Sequence, residues 1–158
     1  MTQIRPYTPP DRAAVAQLNI TYYTRTHAFD ESFAQAVSDA LDAIDHAIAG
    51  NTRQGWVVIQ DNTPKGSLFL TPDGPAAARL RLFLLDPSLQ GRGLGREMLA
   101  AALQTARSLG FARLNVSTFT IHPAACALYA RAGFSEASRH PRRAFGHALT
   151  QVDFTRAV

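Results

Sequence analysis

Apolar residues recur along the chain at two spacings, and the places where one spacing gives way to the other mark its elements. A short strand near residues 2–7 leads into Pro9-Pro10-Asp11, a natural helix entrance because proline is pre-set for the first helical turn. Val15, Leu18 and Tyr22 then repeat at helical intervals, with Asp11 near the positive end of the helix dipole. A second helix is predicted over residues 31–49, with Phe33, Val37, Leu41, Ile44 and Ile48 on one face and Gly50 closing it. The period then changes. Residues 56–59 and 67–70 read as strands joined by a turn through residues 61–66, which include Asp61, Asn62, Pro64 and Gly66. Residues 77–86 read as a longer strand, alternating through Arg79-Leu80-Arg81-Leu82 before becoming wholly apolar at Phe83-Leu84-Leu85, as a strand does on entering the buried centre of a sheet.

Helical spacing returns with Leu94, Met98, Leu99, Ala102, Leu103 and Ala106, and stops at Gly110. A strand over 112–119 follows. Pro123 opens a short helix through Tyr129, closed at Gly133, and strands over about 134–140 and 146–155 finish the chain. The order βααβββαβαββ implies an α/β (α+β) fold: a mixed sheet covered by helices. No repeat or low-complexity linker interrupts it, so residues 1–158 are expected to form a single domain.

Composition narrows the function classes. An apolar fraction of 46% and a charged fraction of 18% describe an ordinary globular chain. No run approaches the ~18 apolar residues of a membrane span, and the start lacks a secretory signal's apolar core, so no membrane partner and a cytoplasmic location are expected. Cys126 is the sole cysteine and reads as a small buried apolar residue; no Cys-rich zinc site, and no metal, is implied. Sixteen basic residues against twelve acidic ones leave a net charge of +4. The basic residues are scattered, apart from Arg139, Arg142 and Arg143, and no aromatic-basic RNA signature or helix-turn-helix accompanies them. No nucleic-acid partner is expected, and an anionic ligand explains the charge equally well.

The chemistry concentrates in Leu85-Asp86-Pro87-Ser88-Leu89-Gln90-Gly91-Arg92-Gly93-Leu94-Gly95-Arg96, where strand passes through loop into helix. Glycines let a backbone approach a ligand closely, and the helix that starts here points unpaired amides and a positive dipole end at the same spot, a seat for phosphate. Arg92 and Arg96 could add charge, Arg92 being the better placed. Spacing excludes two nucleotide loops. A dinucleotide fingerprint would need glycine where Arg96 stands, and a Walker loop would need Gly-Lys before Ser or Thr, whereas the only lysine is Lys65.

Gln90, Gly93 and Gly95 meet the pattern Gln-x-x-Gly-x-Gly, which resembles the pyrophosphate loop of the GNAT superfamily of N-acetyltransferases. Some thirty residues on, Leu128-Tyr129-Ala130-Arg131-Ala132-Gly133-Phe134 resembles that family's second signature. Together the matches cover residues 78–135. Residues 22–30 and 144–149 further resemble the acetyltransferase half of bacterial MarR-GNAT fusion proteins.

The resemblance implies a GNAT-like, mostly antiparallel sheet of about seven strands flanked by four helices, with acetyl-CoA as co-substrate inserted where strands 77–86 and 112–119 splay apart. Backbone groups of Phe83, Leu84 and Leu85 would bind the pantetheine arm like an added strand. An N–H near Leu84 or Leu85 would stabilise the oxyanion of the reaction, a donor worth ~3 kcal/mol. The amides of Gly91, Arg92, Gly93, Leu94, Gly95 and Arg96 would hold the pyrophosphate. Tyr129 matches the tyrosine that protonates the departing thiolate, although the same residue could serve only to pack beside Leu128 and Phe134. Two departures stand out. His122 occupies a position where many relatives carry asparagine, and could contact the cofactor, move protons or sit exposed. The strand 77–86 carries no carboxylate, which leaves the general base to water, Asp30, Glu31 or a histidine.

Family substrates are shaped by the first two helices and the last hairpin, which makes Tyr22, Tyr23, Arg25, His27 and His147 the substrate candidates. The function implied is transfer of acetyl from acetyl-CoA to a primary amine of a small molecule or peptide. The alternative is a non-catalytic acyl-CoA sensor. Apolar late strands pair subunits in such folds, and a homodimer is the corresponding expectation.

Overall fold

The computed structural model describes residues 1–49 and 54–158. Its elements run β1 (Thr2–Pro6), α1 (Arg12–His27), α2 (Glu31–Ala49), β2 (Gln54–Gln60), β3 (Thr63–Pro72), β4 (Ala77–Leu85), α3 (Leu94–Ser108), β5 (Arg113–Phe119), α4 (Pro123–Arg131), β6 (Ser135–Ala144) and β7 (His147–Ala157), with one-turn 3₁₀ helices at Pro9–Asp11 and Pro87–Leu89. The expected closure of α2 at Gly50 and the side chain of Ile48 lie outside the described residues. Seven strands form one sheet in the order β1-β2-β3-β4-β5-β7-β6, antiparallel at every step except β4 beside β5. None of the described helices is long and apolar enough to cross a membrane.

Successive residues of a strand point to opposite faces, and here both faces are covered. Val57 and Phe69 pack with Val15, Val37, Leu41 and Ile44 under α1 and α2. Their chain neighbours Val58 and Leu68 pack on the other side with Met98, Leu99, Ala102 and Leu103 of α3 and with Tyr129 of α4. This double burial is why the central strands read as continuous apolar runs. Arg5 grips Asp11 with two hydrogen bonds of 2.8 Å, and Arg12 bonds Asp42 and Asp45, tying β1 and α1 to α2.

Local chemistry moves several predicted boundaries. The turn expected over 61–66 is the two-residue turn Asp61-Asn62, with φ of 51° and 61°; both residue types tolerate the left-handed region that twist-matched hairpins require. Thr63 already pairs with Gln60, and Pro64 sits opposite Ile59 where the register shifts at a bulge. β6 likewise continues past residue 140, through Pro141 to Ala144, before a turn at Phe145-Gly146. Proline is tolerated there because β6 is an edge strand. β6 is exposed from Ser135 to Arg143 and carries Arg139, Arg142 and Arg143, features that discourage edge-to-edge association.

Strand β4 holds the irregularity that matters most. Strict alternation would put Leu80 and Leu82 on one face, yet Leu80 packs with the α3 core and Leu82 against the α1–α2 core. The register of β3 against β4 shifts between Ser67 and Phe69, and Leu82 takes a φ of 48°, so one extra residue is absorbed. Asn19, on the buried face of α1, donates to Ser67 Oγ at 3.2 Å, and Ser67 donates to the Leu82 carbonyl at 2.7 Å. A buried polar chain thus pins the bulge from the neighbouring helix.

Candidate active site

The bulge lies in the part of β4 where the sheet opens. β4 and β5 pair only at Ala77–Arg113, Ala78–Leu114 and Arg79–Asn115, whereas β5 stays paired with β7 along its whole length. Beyond Arg79 and Asn115 the two parallel strands therefore diverge. The opening is a cavity of about 930 Å³ with Leu80, Leu82, Phe83, Leu84 and Leu85 on one side and Val116, Ser117, Thr118 and Phe119 on the other.

One end of this cavity is the turn between β4 and α3. The Asp86 carboxylate accepts from the Ser88 amide at 2.9 Å and its hydroxyl at 2.7 Å, which stops the strand and shapes the 3₁₀ turn. Leu89 anchors that turn in the core. The Gln90 side-chain amide donates to the Leu85 carbonyl at 3.1 Å, so the loop glutamine ties the turn to the end of the strand. Gly91 and Gly93 both have a φ of +79°, a region costly for any residue with a Cβ. A Cβ on Gly91 would meet nothing within 4 Å, and one on Gly95 would meet only Leu128 at 3.7 Å. Packing therefore does not require glycine at 95. The amides of residues 91–96 donate to no backbone acceptor among the described residues, as the first turn of a helix demands. Free amides, the dipole end of α3 and bare glycines fit a diphosphate. Arg96 lines the cavity; Arg92 and Leu94 lie beside the loop without lining it.

Tyr129 stands midway, its ring buried between Phe83, Phe134 and Phe154 at centroid distances of 6.3, 5.6 and 5.6 Å. Burial pushes its hydroxyl above the usual phenol range, with Tyr23 and Cys126 adding to the effect, so the group holds its proton at neutral pH. Gly133, with a φ of 88°, ends α4 and lets the chain double back so that Phe134 packs on that ring.

The far end is aromatic. Tyr22, Tyr23, His27, Phe29 and Phe33 come from α1, α2 and the turn between them, Phe119 ends β5, and His122 caps α4. Tyr23 lies 4.7 Å from Phe33, 5.1 Å from Phe29 and 5.3 Å from His122, while the His27 and His122 rings meet edge to face at 4.9 Å. The Nε2 atoms of both histidines are buried without a hydrogen-bond partner in the protein. Burial, with His27 alongside, pulls His122 down to about 4; burial and His147 lower His27. Both imidazoles are neutral near pH 7.

The structure thus gathers Tyr22, Tyr23, His27, His122 and Tyr129 around the cavity that begins at the glycine loop. It separates two other candidates from that cavity. Arg25 lines a neighbouring hollow of about 440 Å³ together with Lys65 and Asp86, sharing Tyr22 and Leu84 with the main cavity. His147 Nε2 is 2.8 Å from the Ala28 carbonyl, where it braces the turn after α1. Neither Asp30 nor Glu31 lines the cavity; the Asp30 carboxylate instead accepts from the amide and hydroxyl of Ser32 at the start of α2. Asn19, Phe29, Phe33 and Phe119 also line the cavity and were not named as site residues from the sequence, where Asn19 falls between the helix's apolar positions, Phe33 reads as part of an apolar helix face and Phe119 as the end of a strand. No group of three or more metal-ligating side chains occurs among the described residues.

With this geometry in hand, the chain can be set beside known proteins. Residues 13–134 match the model of the acetyltransferase (GNAT) family. Among solved structures, a Salmonella typhimurium protein determined with its cofactor acetyl-CoA aligns over 99% of this chain and 94% of its own, at 19% identity and a TM-score of 0.80. A ribosomal-protein-alanine N-acetyltransferase from Brucella melitensis aligns over 99% of both chains at 18% identity and a TM-score of 0.81. An N-acetyltransferase from Staphylococcus aureus covers 99% of this chain and 98% of its own, with 15% identity and a TM-score of 0.82. These likenesses concern the fold. No curated protein matches the chain in sequence.

Proposed function

The chain belongs to the acetyltransferase (GNAT) family, and from that premise we propose that it moves an acetyl group from acetyl-CoA to a primary amine of a small molecule or peptide, by direct attack while both are bound. One observation carries this reading: a single cavity, opened by the divergence of β4 from β5, is lined by Gly91, Gly93 and Gly95, by the edge of β4, by Tyr129 and by the aromatic cluster. The amides of residues 91–96 are suited to the diphosphate of the co-substrate. The unpaired edge of Phe83, Leu84 and Leu85 is suited to its amide-bearing arm, which would add to β4 as a strand does. An N–H on that edge would favour charge developing on the acetyl oxygen. Tyr129 would supply the proton that the departing sulfur takes up.

The spread of one sheet over β1 to β7 supports reading residues 1–158 as one catalytic unit. The finer likeness to the acetyltransferase half of MarR-GNAT fusions rests on residues 22–30 and 144–149 alone. Calorimetry with acetyl-CoA tests the binding half of the proposal, and thiol detection of released CoA across an amine library tests the transfer. Tyr129→Phe should lower kcat by ~10-fold or more with acetyl-CoA affinity unchanged. Binding without CoA release from any amine would be the behaviour of a sensor and would refute the transferase.

A further inference from the structure

The acceptor end of the cavity has a composition that narrows the amine. Its walls are Tyr22, Tyr23, Phe29, Phe33 and Phe119, and no Asp, Glu or Lys lines the cavity among the described residues. Its charged lining consists of Arg96, Arg131 and Arg156, all cations. Arg96 lies beside Gly93 of the glycine loop and Arg156 beside Gly133 and the start of β5, away from the acceptor end, which therefore presents aromatic rings and imidazoles with no carboxylate to hold an ammonium group or a polyamine. Two imidazole nitrogens, Nε2 of His27 and of His122, are buried there with no partner, although buried polar atoms are nearly always bonded. Two such orphans on touching rings mark a place where a ligand group completes the hydrogen bonding.

We propose, on the acetyl-transfer reading above, that the acceptor is an aromatic amine bound with its nitrogen uncharged, its ring against the Tyr22–Tyr23 wall and its N–H groups held by Nε2 of His27 and His122. Each imidazole accepts a hydrogen bond at Nε2 when its proton is on Nδ1. The nitrogen lone pair attacks the acetyl carbon, forming the C–N bond as the C–S bond breaks. Nitrogen loses one proton to an imidazole, sulfur gains one from Tyr129, and the imidazole's proton restores the phenol, leaving an N-aryl acetamide and free CoA. Imidazoles that are weakly basic match an amine that carries no proton to begin with, since neither could strip one from an alkylammonium. His122 accordingly serves the acceptor, not the co-substrate.

The test compares aniline with spermidine and lysine at pH 7.5 by CoA release. Aniline should show a kcat/KM at least about tenfold higher. His122→Phe, which keeps an aromatic wall, should lower aniline turnover about tenfold while acetyl-CoA binding by calorimetry is retained. Faster turnover of spermidine or lysine, or no acetylation of aniline by protein that binds acetyl-CoA, would overturn the proposal. Failure to bind acetyl-CoA would sink the transferase reading instead. Aniline binding, followed by shifts of the His27 and His122 Cε1–H resonances in the full chain, then decides the pocket independently: shifts support it and their absence refutes it.

Discussion

Replacing Ser67 by alanine probes the claim that a buried hydrogen-bond chain holds the sheet open. Ser67 is fully buried, and its hydroxyl both donates to the Leu82 carbonyl at 2.7 Å and accepts from Asn19 Nδ2 at 3.2 Å. Alanine fits the same space, so packing is preserved and the polar terms are isolated. The Leu82 carbonyl loses its donor, which costs ~1–3 kcal/mol for a buried group. Asn19 Nδ2 keeps the Val15 carbonyl at 3.0 Å, so its share is smaller, ~0.5–1 kcal/mol. The sum, ~1.5–4 kcal/mol, corresponds to a fall in Tm of roughly 5–12 °C for a chain of this length. The functional effect follows from Leu82. Its left-handed φ of 48° is itself a strain of ~1–2 kcal/mol, tolerated while Ser67 holds it. Released, β4 can relax toward regular pairing, and acetyl-CoA affinity should weaken ~5-fold or more, since each 1.4 kcal/mol is tenfold. Thermal melts give the first quantity and calorimetry the second. Asn19→Leu should show a related loss, and the double variant should cost less than the sum of the two, because both act on one network. A Ser67→Ala protein melting within ~1 °C of the parent and binding acetyl-CoA equally well would show that the bulge stands without this chain.

Gly95→Ala should separate stability from binding: its Cβ meets only Leu128 at 3.7 Å and alanine favours helix by up to ~1 kcal/mol, so Tm should hold or rise, while acetyl-CoA affinity falls ~10-fold; equal affinity would remove the glycine from the phosphate seat. The His122 imidazole should titrate by NMR with a midpoint near 4, well below an unperturbed histidine, and a midpoint above 6 would contradict its burial. Since that group is harder to protonate folded than unfolded, its contribution to stability is present above pH ~6.5 and is lost as pH falls toward 4; a flat stability profile across that window would refute it. A second acid loss should follow below pH ~4. The Arg5 guanidinium, outweighing burial, holds the Asp11 carboxyl at about 2. At Asp153 burial acts to raise the value, and hydrogen bonds from Ser117, Ser138 and Gln151 overcome it to reach about 2. Stability is full above 3.8 and lost as pH falls toward 2, roughly 2 kcal/mol of it from Asp11, and Arg5→Met should remove the larger part of that share, the Thr8 hydrogen bonds to the carboxylate remaining.

The glycine loop was legible because the left-handed backbone of Gly91 and Gly93 is a geometry that few residues other than glycine adopt, so its shape is written in residue type and spacing. Tyr129 was legible by the same route, through Gly133 and Phe134 a few residues away. The aromatic end was read only in part. Tyr22, Tyr23 and His27 stand out as a dense run, but Phe29, Phe33 and Phe119 are indistinguishable from core residues until the fold shows which rings border open space. His147 and Arg25 looked equivalent to His27 in the chain. Only the tertiary contacts show His147 on the Ala28 carbonyl and Arg25 on the neighbouring hollow.

By itself, the order of residues determined the succession of elements, the doubly buried centre of the sheet and the position of the glycine loop between β4 and α3. These depend on periodicity and on local φ preferences, which act within a few residues. The tertiary structure decided where β4 parts from β5, which carbonyl Ser67 holds, and that two histidines 95 positions apart share one wall. Those features depend on a helix pressing Asn19 onto a strand 48 residues away and on a bulge that reverses the facing of Leu82. Such long-range pairings leave no local pattern, because each residue is ordinary in its own segment and acquires its role only from what the fold places against it.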